Sequence, residues 1–253
     1  MGKLDGKVAI VTGAGSGLGR DLALRLASEG CAVGVLSVTA ANVEKTVAEV
    51  RARGGKAHGV TVDVTKAAAI RPAVQAVVDA LGPIDILVNC AHEVGSIFSS
   101  VLDLSDEQLQ RQFDIGPFAY LHFMQACYPH MKGRAGRVIN FASSVGIYAR
   151  PNYAPYSMQK EAVRALTRSA AREWGVDGIT VNCVLPVAVT PGYETAVATM
   201  APSSAPPSMP LARPGDPYED IAPVVVFLAS EDSRYMTGYS FCADGGLSID
   251  AAR

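Results

Sequence analysis

The sequence predicts an α/β fold in which helices cover both faces of one doubly wound, parallel sheet. Three observations predict it: short β-branched runs alternate with stretches of helical period, hydrophobic residues make up 49% of the chain, and 24 Gly and 15 Pro provide many tight turns. A chain of 253 residues is long enough for one such domain with a large core. We therefore predict a single domain over residues 1–253.

Strands and helices alternate from the start of the chain. An apolar run at 8–11 precedes a helical pattern at 18–28, and a run at 33–36 precedes a second helical pattern at 42–53. Further apolar runs, separated by helical stretches, lie at 59–62, 84–88, 138–141 and 179–184. Since each crossover between parallel strands packs a helix on the sheet, this order predicts a Rossmann-like domain with about seven parallel strands.

The segment 191–217 interrupts this alternation. It is rich in proline, among serine and alanine residues: Pro191, Pro202, Pro206, Pro207, Pro210, Pro214 and Pro217. We predict a surface excursion, because proline removes backbone donors and ends helices. Such a long excursion is either a functional lid or a poorly ordered insertion, and its place between a core strand and the next helix favours a substrate lid.

Composition excludes several classes of protein. A formal net charge of −2 provides no basic field for nucleic acid, so we expect no such partner. The five cysteines are an odd number without a CxxC pair, and the histidines lack metal-ligand spacing, so we predict neither disulfides nor a metal site. No export signal and no membrane-spanning run is recognised, and we expect a cytoplasmic protein without a membrane partner.

A glycine-rich turn follows the first predicted strand. Residues 12–19 read Thr-Gly-Ala-Gly-Ser-Gly-Leu-Gly and lead directly into a predicted helix. Glycines let the backbone approach a pyrophosphate closely, and the N–H groups and dipole of a helix N-terminus favour its negative charge. A glycine motif alone can be only a tight turn. Its place between a strand and a helix favours a dinucleotide site.

Tyr156 and Lys160 lie four residues apart in a predicted helix that runs to about residue 174, so their side chains share a face. A nearby ammonium group favours the phenolate, and we expect it to lower the pKa of Tyr156 towards the range useful near neutral pH. Ser143 follows the strand at 138–141, where parallel strands place ligand contacts. The alternatives are an exposed helical pair and, for the hydroxyl, Ser144.

These motifs resemble the signatures of the short-chain dehydrogenase/reductase family. The glycine spacing Thr-Gly-x-x-x-Gly-x-Gly and the spacing Ser143-x12-Tyr156-x3-Lys160 both match it, and the family spacing selects Ser143 over Ser144. The resemblance extends over nearly the whole chain and is to members like 3-oxoacyl-acyl carrier protein reductases and alcohol dehydrogenases. Further similar segments lie at 63–64, 89–92, 213–217, 227–230, 237–238 and 244–246.

The resemblance implies an oxidoreductase that transfers hydride between NAD(P)(H) and a ketone or secondary alcohol. Tyr156 would be the general acid or base, Ser143 would bind the substrate oxygen, and Lys160 would bind the nicotinamide ribose. Thr190 would hold the carboxamide, with an ordinary loop hydroxyl as the alternative. The predicted cofactor-binding residues are Thr12, Gly13, Gly15, Ser16, Gly17, Leu18, Gly19, Ser37, Asp63, Val64, Asn89, Ala91, Tyr156, Lys160, Pro186 and Thr190.

The end of the second strand bears on the choice of cofactor. NAD specificity usually depends on an acidic residue there, and this chain has Ser37. A 2′-phosphate is then not repelled, although neither Ser16 nor Val38 supplies a cation to attract it. Ser37, Thr39 and Lys45 remain as candidate donors. We expect NADP(H) to be favoured over NAD(H).

Three positions depart from the family pattern. Gly116 stands where the family has a catalytic Asn, which sits at a helix kink and helps to hold a water of the proton relay. Gly116 and Pro117 could keep the kink, with a backbone-bound water in the relay. His92 and Val187 replace glycines of the family pattern. His92 and Glu93 are candidates for substrate contact, with an ordinary structural histidine as the alternative.

The resemblance also implies a small-molecule carbonyl or alcohol substrate, and a homotetramer or homodimer built through helices near 105–131 and 154–174. Residues on the expected substrate side favour a moderately apolar or aromatic substrate, with ordinary core packing as the alternative: Tyr148, Tyr153, Tyr193, Met200 and Met209. Two other functions use the same fold, a catalytically silent cofactor-binding regulator and a non-redox lyase. The intact glycine turn, Ser143, Tyr156 and Lys160 argue against both.

Overall fold

Seven parallel strands form one sheet in the computed structural model, which describes residues 2–198 and 209–249. The strand order is β3-β2-β1-β4-β5-β6-β7, which confirms the predicted doubly wound, Rossmann-like fold. The strands are β1 (Val8–Thr12), β2 (Ala32–Ser37), β3 (Ala57–Thr61), β4 (Ile86–Asn89), β5 (Arg137–Phe141), β6 (Thr180–Pro186) and β7 (Ser240–Ala243).

Helices cover both faces of the sheet. Those in the described residues are α1 (Gly17–Ser28), α2 (Ala40–Ala52), α3 (Ala67–Leu81), α4 (Asp106–Phe113), α5 (Ala119–Met131), α6 (Ser144–Tyr148), α7 (Ala154–Trp174), α8 (Pro191–Ala198) and α9 (Ala222–Ala229). The apolar sides of α3, α5 and α7 pack in one core cluster. Those of α1, α2 and α9 pack in a second cluster on the opposite face.

The alternation of side chains along β1 explains this layering. Val8 and Ile10 belong to the cluster with α3, α5 and α7, while Ala9 and Val11 belong to the cluster with α1 and α2. Successive side chains of a strand point to opposite faces, so a strand that is covered on both sides must be apolar throughout. The whole of β1 is accordingly buried.

The order in which strands are added to the sheet reverses at β1. It pairs with β2 on one side and with β4 on the other, and the connections on the two sides run in opposite directions across the sheet. At such a switch point the loops beyond the carboxyl ends of the strands separate and leave a crevice. The glycine turn follows β1 at this crevice.

The segment 191–217 begins with a helix, so the predicted loop is wrong for its first part. The Thr190 hydroxyl accepts a hydrogen bond from the N–H of Tyr193 at 3.0 Å, and Pro191 opens α8, where a missing N–H costs nothing. Farther on, Ala188 pairs with Gly215 in a short parallel bridge. Residues 199–208, including Met200, lie outside the described part. No described helix is long and apolar enough to cross a membrane.

Candidate active site

The turn between β1 and α1 has space for backbone and for little else. A Cβ atom on Gly13 would lie 2.8 Å from Cα of Ala91, and one on Gly19 would overlap the carbonyl oxygen of Gly13. Gly13 and Gly17 have φ angles of 70° and 51°, which other residues rarely adopt. The N–H groups in the first turn of α1, where Leu18 lies, have no partner within the helix. This turn can therefore accept an anionic group such as a pyrophosphate.

Thr12 and Asn89 support this turn from the sheet. Oγ1 of Thr12 accepts a hydrogen bond from the N–H of Ala91 at 3.1 Å. Nδ2 of Asn89 donates to Oδ1 of Asn140 at 2.9 Å, and Asn140 donates in turn to a threonine of α7. The side chains of Thr12 and Asn89 are both buried, so their contacts hold the ends of β1, β4 and β5 together. Their contact with a cofactor stays a prediction.

Ser37 lies over the glycine turn at the end of β2. A Cβ atom on Gly15 would lie 2.7 Å from Oγ of Ser37, so the hydroxyl faces the place where a family carboxylate would meet the ribose. Arg20, in the first turn of α1, hydrogen-bonds to the carboxylates of Asp21 and Glu49. The end of β2 therefore presents a hydroxyl group, without a carboxylate to repel a 2′-phosphate.

Asp63 and Val64 follow β3 at the same edge of the sheet as Ser37. Oδ1 of Asp63 accepts hydrogen bonds from the N–H of Thr65 at 3.0 Å and from its hydroxyl at 2.8 Å. Ser37 pairs with Thr61 in the sheet, which places the two strand ends side by side. The residues predicted for the adenosine half of a dinucleotide are thus brought together.

Ser143, Tyr156 and Lys160 meet beyond the carboxyl end of β5. Ser143 is the N-cap of α6, and its Oγ accepts from the N–H of Val145 at 3.2 Å. Tyr156 and Lys160 lie one turn apart in α7, with Nζ of Lys160 5.5 Å from the centroid of the Tyr156 ring. The same Nζ donates to the carbonyl oxygen of Phe141 at 3.0 Å. The three predicted catalytic side chains therefore form one cluster.

Burial controls the protonation of this cluster. It raises the pKa of Tyr156 to about 12, although a hydrogen bond with Ser143 acts in the opposite direction. It lowers the pKa of Lys160 to about 8. The predicted lowering of the pKa of Tyr156 is therefore wrong for this structure, because desolvation of the phenolate dominates and the lowering contribution comes from Ser143, not from Lys160. At pH 7, Tyr156 is a neutral proton donor and Lys160 is mostly a cation.

His92 stands beside the reactive phenol. Its ring centroid lies 5.2 Å from that of Tyr156, and its side chain is exposed. Although the residue is open to the cleft, the protein atoms around its ring desolvate it, and together with the charge of Lys160 they hold the pKa of His92 well below its usual value. A neutral imidazole both donates and accepts hydrogen bonds. The contact of His92 with a substrate stays a prediction, with an ordinary structural role as its alternative.

The segment 92–100 crosses from the end of β4 to the start of α7. Nε2 of Gln108, in α4, donates to the carbonyl oxygen of Phe98 at 2.9 Å, and Ser99 pairs with Tyr153 in a short bridge. The Tyr153 ring packs edge-on against Phe98, with centroids 4.8 Å apart, and its centroid lies 6.3 Å from that of Tyr156. An aromatic wall therefore stands next to the phenol.

The segment after β6 reaches the glycine turn on the other side of the cleft. A Cβ atom on Gly17 would lie 3.9 Å from Cβ of Thr190, and one on Gly192 would lie 3.0 Å from Cγ2 of Val94. The start of α8 thus lies between the glycine turn and the segment 92–100. Thr190 caps this helix, and its contact with a cofactor, like that of Pro186 at the end of β6, stays a prediction.

A kink separates α4 from α5, as the sequence predicts. Gly116 has φ −100° and ψ −106° in the irregular turn Asp114–Phe118. Pro117 follows and cannot donate a backbone hydrogen bond, so the helix bends here. The backbone of Gly116 adopts this non-helical conformation, so the kink forms without the asparagine side chain of the family pattern.

Comparisons with known proteins agree with this geometry. The family model described as Enoyl-(Acyl carrier protein) reductase matches residues 13–248. A 12alpha-hydroxysteroid dehydrogenase of Clostridium sp. is 36% identical over 263 residues, 98% of each chain. A 3-oxoacyl-[acyl-carrier-protein] reductase of Thermotoga maritima is 33% identical over 248 residues, 98% of this chain and 100% of the relative. This chain belongs to the short-chain dehydrogenase/reductase family.

A solved structure is similar over the same extent of chain. It is a 7α-hydroxysteroid dehydrogenase complexed with NADH and 7-oxo glycochenodeoxycholic acid, with a TM-score of 0.89 and 29% identity over 96% of this chain and 94% of that one. The predicted class of enzyme, a short-chain dehydrogenase/reductase that acts on CH–OH or C=O groups with NAD(P)(H), is thereby confirmed. The tight glycine turn at the N-terminus of α1 fits the pyrophosphate of this short-chain dehydrogenase/reductase cofactor.

Proposed function

We propose that this enzyme transfers hydride between NAD(P)(H) and a ketone or secondary alcohol, with Tyr156 as the general acid or base. The observation that carries the proposal is the cluster at the end of β5. There Tyr156 lies close enough to Ser143 for that hydroxyl to oppose the rise of its pKa, and one helical turn from the buried cation Lys160. The glycine turn lies at the same edge of the sheet, so a dinucleotide held by it can reach the phenol.

The bound nicotinamide would supply or accept the hydride. The protein would hold the dinucleotide in two halves. The glycine turn, the start of α1 and the residues Ser37, Asp63 and Val64 would bind the pyrophosphate and the adenosine. The nicotinamide half would lie among Tyr156, Lys160, Pro186 and Thr190.

Proton transfer follows from the protonation states of the cluster. With a pKa of about 12, Tyr156 carries its proton at neutral pH and can donate it to the oxygen of a carbonyl substrate. Lys160 would stabilise the phenolate that remains, because an ammonium group favours a nearby negative charge. Oγ of Ser143 accepts from the N–H of Val145, so its own proton can be donated either to the oxygen of Tyr156 or to a substrate oxygen beside it. Ser143 would therefore orient the carbonyl towards Tyr156.

The walls of the cleft support a moderately apolar or aromatic substrate. Tyr153 presents an aromatic ring next to Tyr156, and His92 adds an uncharged polar group at the same place. A related enzyme acts on hydroxysteroids according to its name, which fits a ring ketone or ring alcohol as a candidate class. The segment 191–217, with α8 against Val94, would close over this substrate as a lid.

The cofactor choice and the assembly complete the proposal. The hydroxyl of Ser37 in place of a carboxylate favours NADP(H) over NAD(H). A homotetramer or homodimer would form through α4, α5 and α7; Phe118, directly before α5, and Met158, in α7, are exposed. The free cysteines fit a reducing, cytoplasmic location.

A panel of substrates tests the proposal. Cyclic, aromatic and acyl-thioester ketones, and the matching alcohols, are each supplied with NADPH, NADH or the oxidised forms, and the absorbance of the reduced nicotinamide is followed. We expect turnover of at least one apolar ketone or alcohol and a higher kcat/KM with the phosphorylated cofactor. Turnover of none of them by a protein that binds the dinucleotide would contradict the proposed hydride transfer.

A further inference from the structure

A side chain of α7 fills the space beside Gly116. The atom nearest to a Cβ on Gly116 would be Nε2 of Gln159, with Cγ and Cδ of the same residue at 2.5 and 2.6 Å. Any side chain at position 116 would enter the volume that the Gln159 carboxamide occupies. Gly116 and Gln159 are therefore complementary in shape. The Gln159 carboxamide, from α7, lies where the side chain of an asparagine at position 116 would lie.

The Gln159 amide is buried without a protein partner. The residue is fully buried, and neither Oε1 nor Nε2 has a hydrogen-bond partner among the described residues. Polar groups inside proteins are normally paired, and an unpaired carboxamide is costly. If the residue only filled space, an apolar side chain of the same length would do so without that cost. The amide therefore indicates a polar ligand, and water is the usual partner of buried amides.

The position of Gln159 connects it with the reactive cluster. It lies three residues after Tyr156 and directly before Lys160 in α7. Nζ of Lys160 lies 5.9 Å from the ring centroid of Tyr120, a residue of α5, the helix that begins just after the kink. Lys160 thus reaches the first turn of α5, directly after the kink against which Gln159 packs.

We propose that the Gln159 carboxamide takes the place of the asparagine that this chain lacks at position 116 and orders water next to Lys160. This inference rests on the proposed function. After Tyr156 gives its proton to the substrate oxygen, Lys160 would return one to the phenolate and take one from the water held by Gln159. Each transfer breaks one N–H or O–H bond and forms another, and solvent supplies the proton consumed. Gln159 is a positioning residue in this scheme.

The variant Gln159→Met tests the amide while keeping the volume. We expect kcat to fall about tenfold with KM nearly unchanged, since only part of the general acid effect depends on the relay. We also expect the alkaline limb of kcat against pH to move to lower pH, because the ammonium form of Lys160 loses a hydrogen-bonded water that stabilises it. The melting temperature should stay nearly the same, because Met keeps the volume and the amide makes no hydrogen bond to the described protein atoms.

Moving the carboxamide from α7 to the kink is the complementary test. Gly116→Asn alone should lower the melting temperature, because its side chain overlaps Gln159. Gln159→Ala removes the overlapping atoms, and Gly116→Asn combined with Gln159→Ala should regain both the melting temperature and at least about fivefold in kcat over Gln159→Ala. Recovery of the melting temperature without kcat would show that the pair only fills space, and would overturn the proposal.

The control Tyr156→Phe separates this inference from the proposed function. Wild-type kcat and an unchanged pH profile in Gln159→Met, next to an inactive Tyr156→Phe, would overturn the role of Gln159 alone. Full activity in Tyr156→Phe would overturn the proposed function and the relay with it. If Gln159→Met does not fold, the pair Gly116→Asn and Gln159→Ala decides between the two roles.

Discussion

Nζ of Lys160 donates a hydrogen bond to the carbonyl oxygen of Phe141 at 3.0 Å, and the same nitrogen lies 5.5 Å from the ring centroid of Tyr156. The lysine is thus anchored to the end of β5, beside the phenol. Burial lowers the pKa of Lys160 to about 8 and raises that of Tyr156 to about 12. Over the neutral range the pair therefore consists of a cation and a neutral proton donor.

This pair predicts how carbonyl reduction depends on pH. We expect kcat to be nearly constant below pH 8 and to fall above it, because Lys160 loses its proton near a pKa of about 8 and no longer stabilises the phenolate. Steady-state rates at saturating substrate and cofactor measure this. The variant Lys160→Met should have a low rate without this limb. A wild-type rate that stays level to pH 10 would contradict the assignment.

The glycine turn predicts a loss of cofactor binding in Gly13→Ala. The new Cβ atom would lie 2.8 Å from Cα of Ala91, and the residue would keep a φ of 70°. We expect the Kd for the dinucleotide to rise at least about tenfold. Gly178→Ala is the matched control, since its φ is 77° and nothing lies within 4 Å. Calorimetric titration that finds equal Kd values for both variants would argue against a pyrophosphate at this turn.

We predict that Ser37→Asp changes the preferred cofactor. The new carboxylate would stand over Gly15 and repel a 2′-phosphate, while it could accept hydrogen bonds from an unmodified ribose. We expect kcat/KM with NADPH to fall at least about tenfold and kcat/KM with NADH to stay the same or rise. The ratio of the two values measures the effect. An unchanged ratio would place the adenosine away from the end of β2.

The apolar runs of the sequence predicted the sheet well, because parallel strands buried on both faces must be continuously apolar. Six strands were placed from those runs. The seventh, β7, is a partly buried edge strand, and its four residues Ser240–Ala243 do not form a clear apolar run. The helix α8 was missed because proline and serine mark the segment as a loop, whereas Thr190 and Pro191 together begin a helix.

The residues of the reactive cluster could be chosen from their spacing, but their protonation could not. The pKa values of Tyr156 and Lys160 depend on burial, which only the packed structure shows. The kink at Gly116 was predicted from Pro117. The side chain that fills it was not, because Gln159 lies on a different helix and becomes its neighbour only when α7 packs against the kink.

We predict that replacing His92 alters substrate binding and leaves the stability of the fold unchanged. We expect His92→Gly to change KM for the preferred ketone about fivefold or more, because the imidazole next to Tyr156 is removed. The melting temperature should barely change, because the side chain is exposed. His130→Ala, in α5, serves as the control.

Tyr156→Phe, compared with Tyr153→Phe, tests the central claim most directly. The two rings are neighbours in the cleft, and each variant loses a single hydroxyl group. We expect Tyr156→Phe to keep its fold and its affinity for the dinucleotide while kcat falls at least about 100-fold, because the proton donor is lost. Tyr153→Phe should stay within about threefold of the wild type. Equal rates for Tyr156→Phe and the wild type, on a substrate that the enzyme turns over, would contradict proton donation by Tyr156.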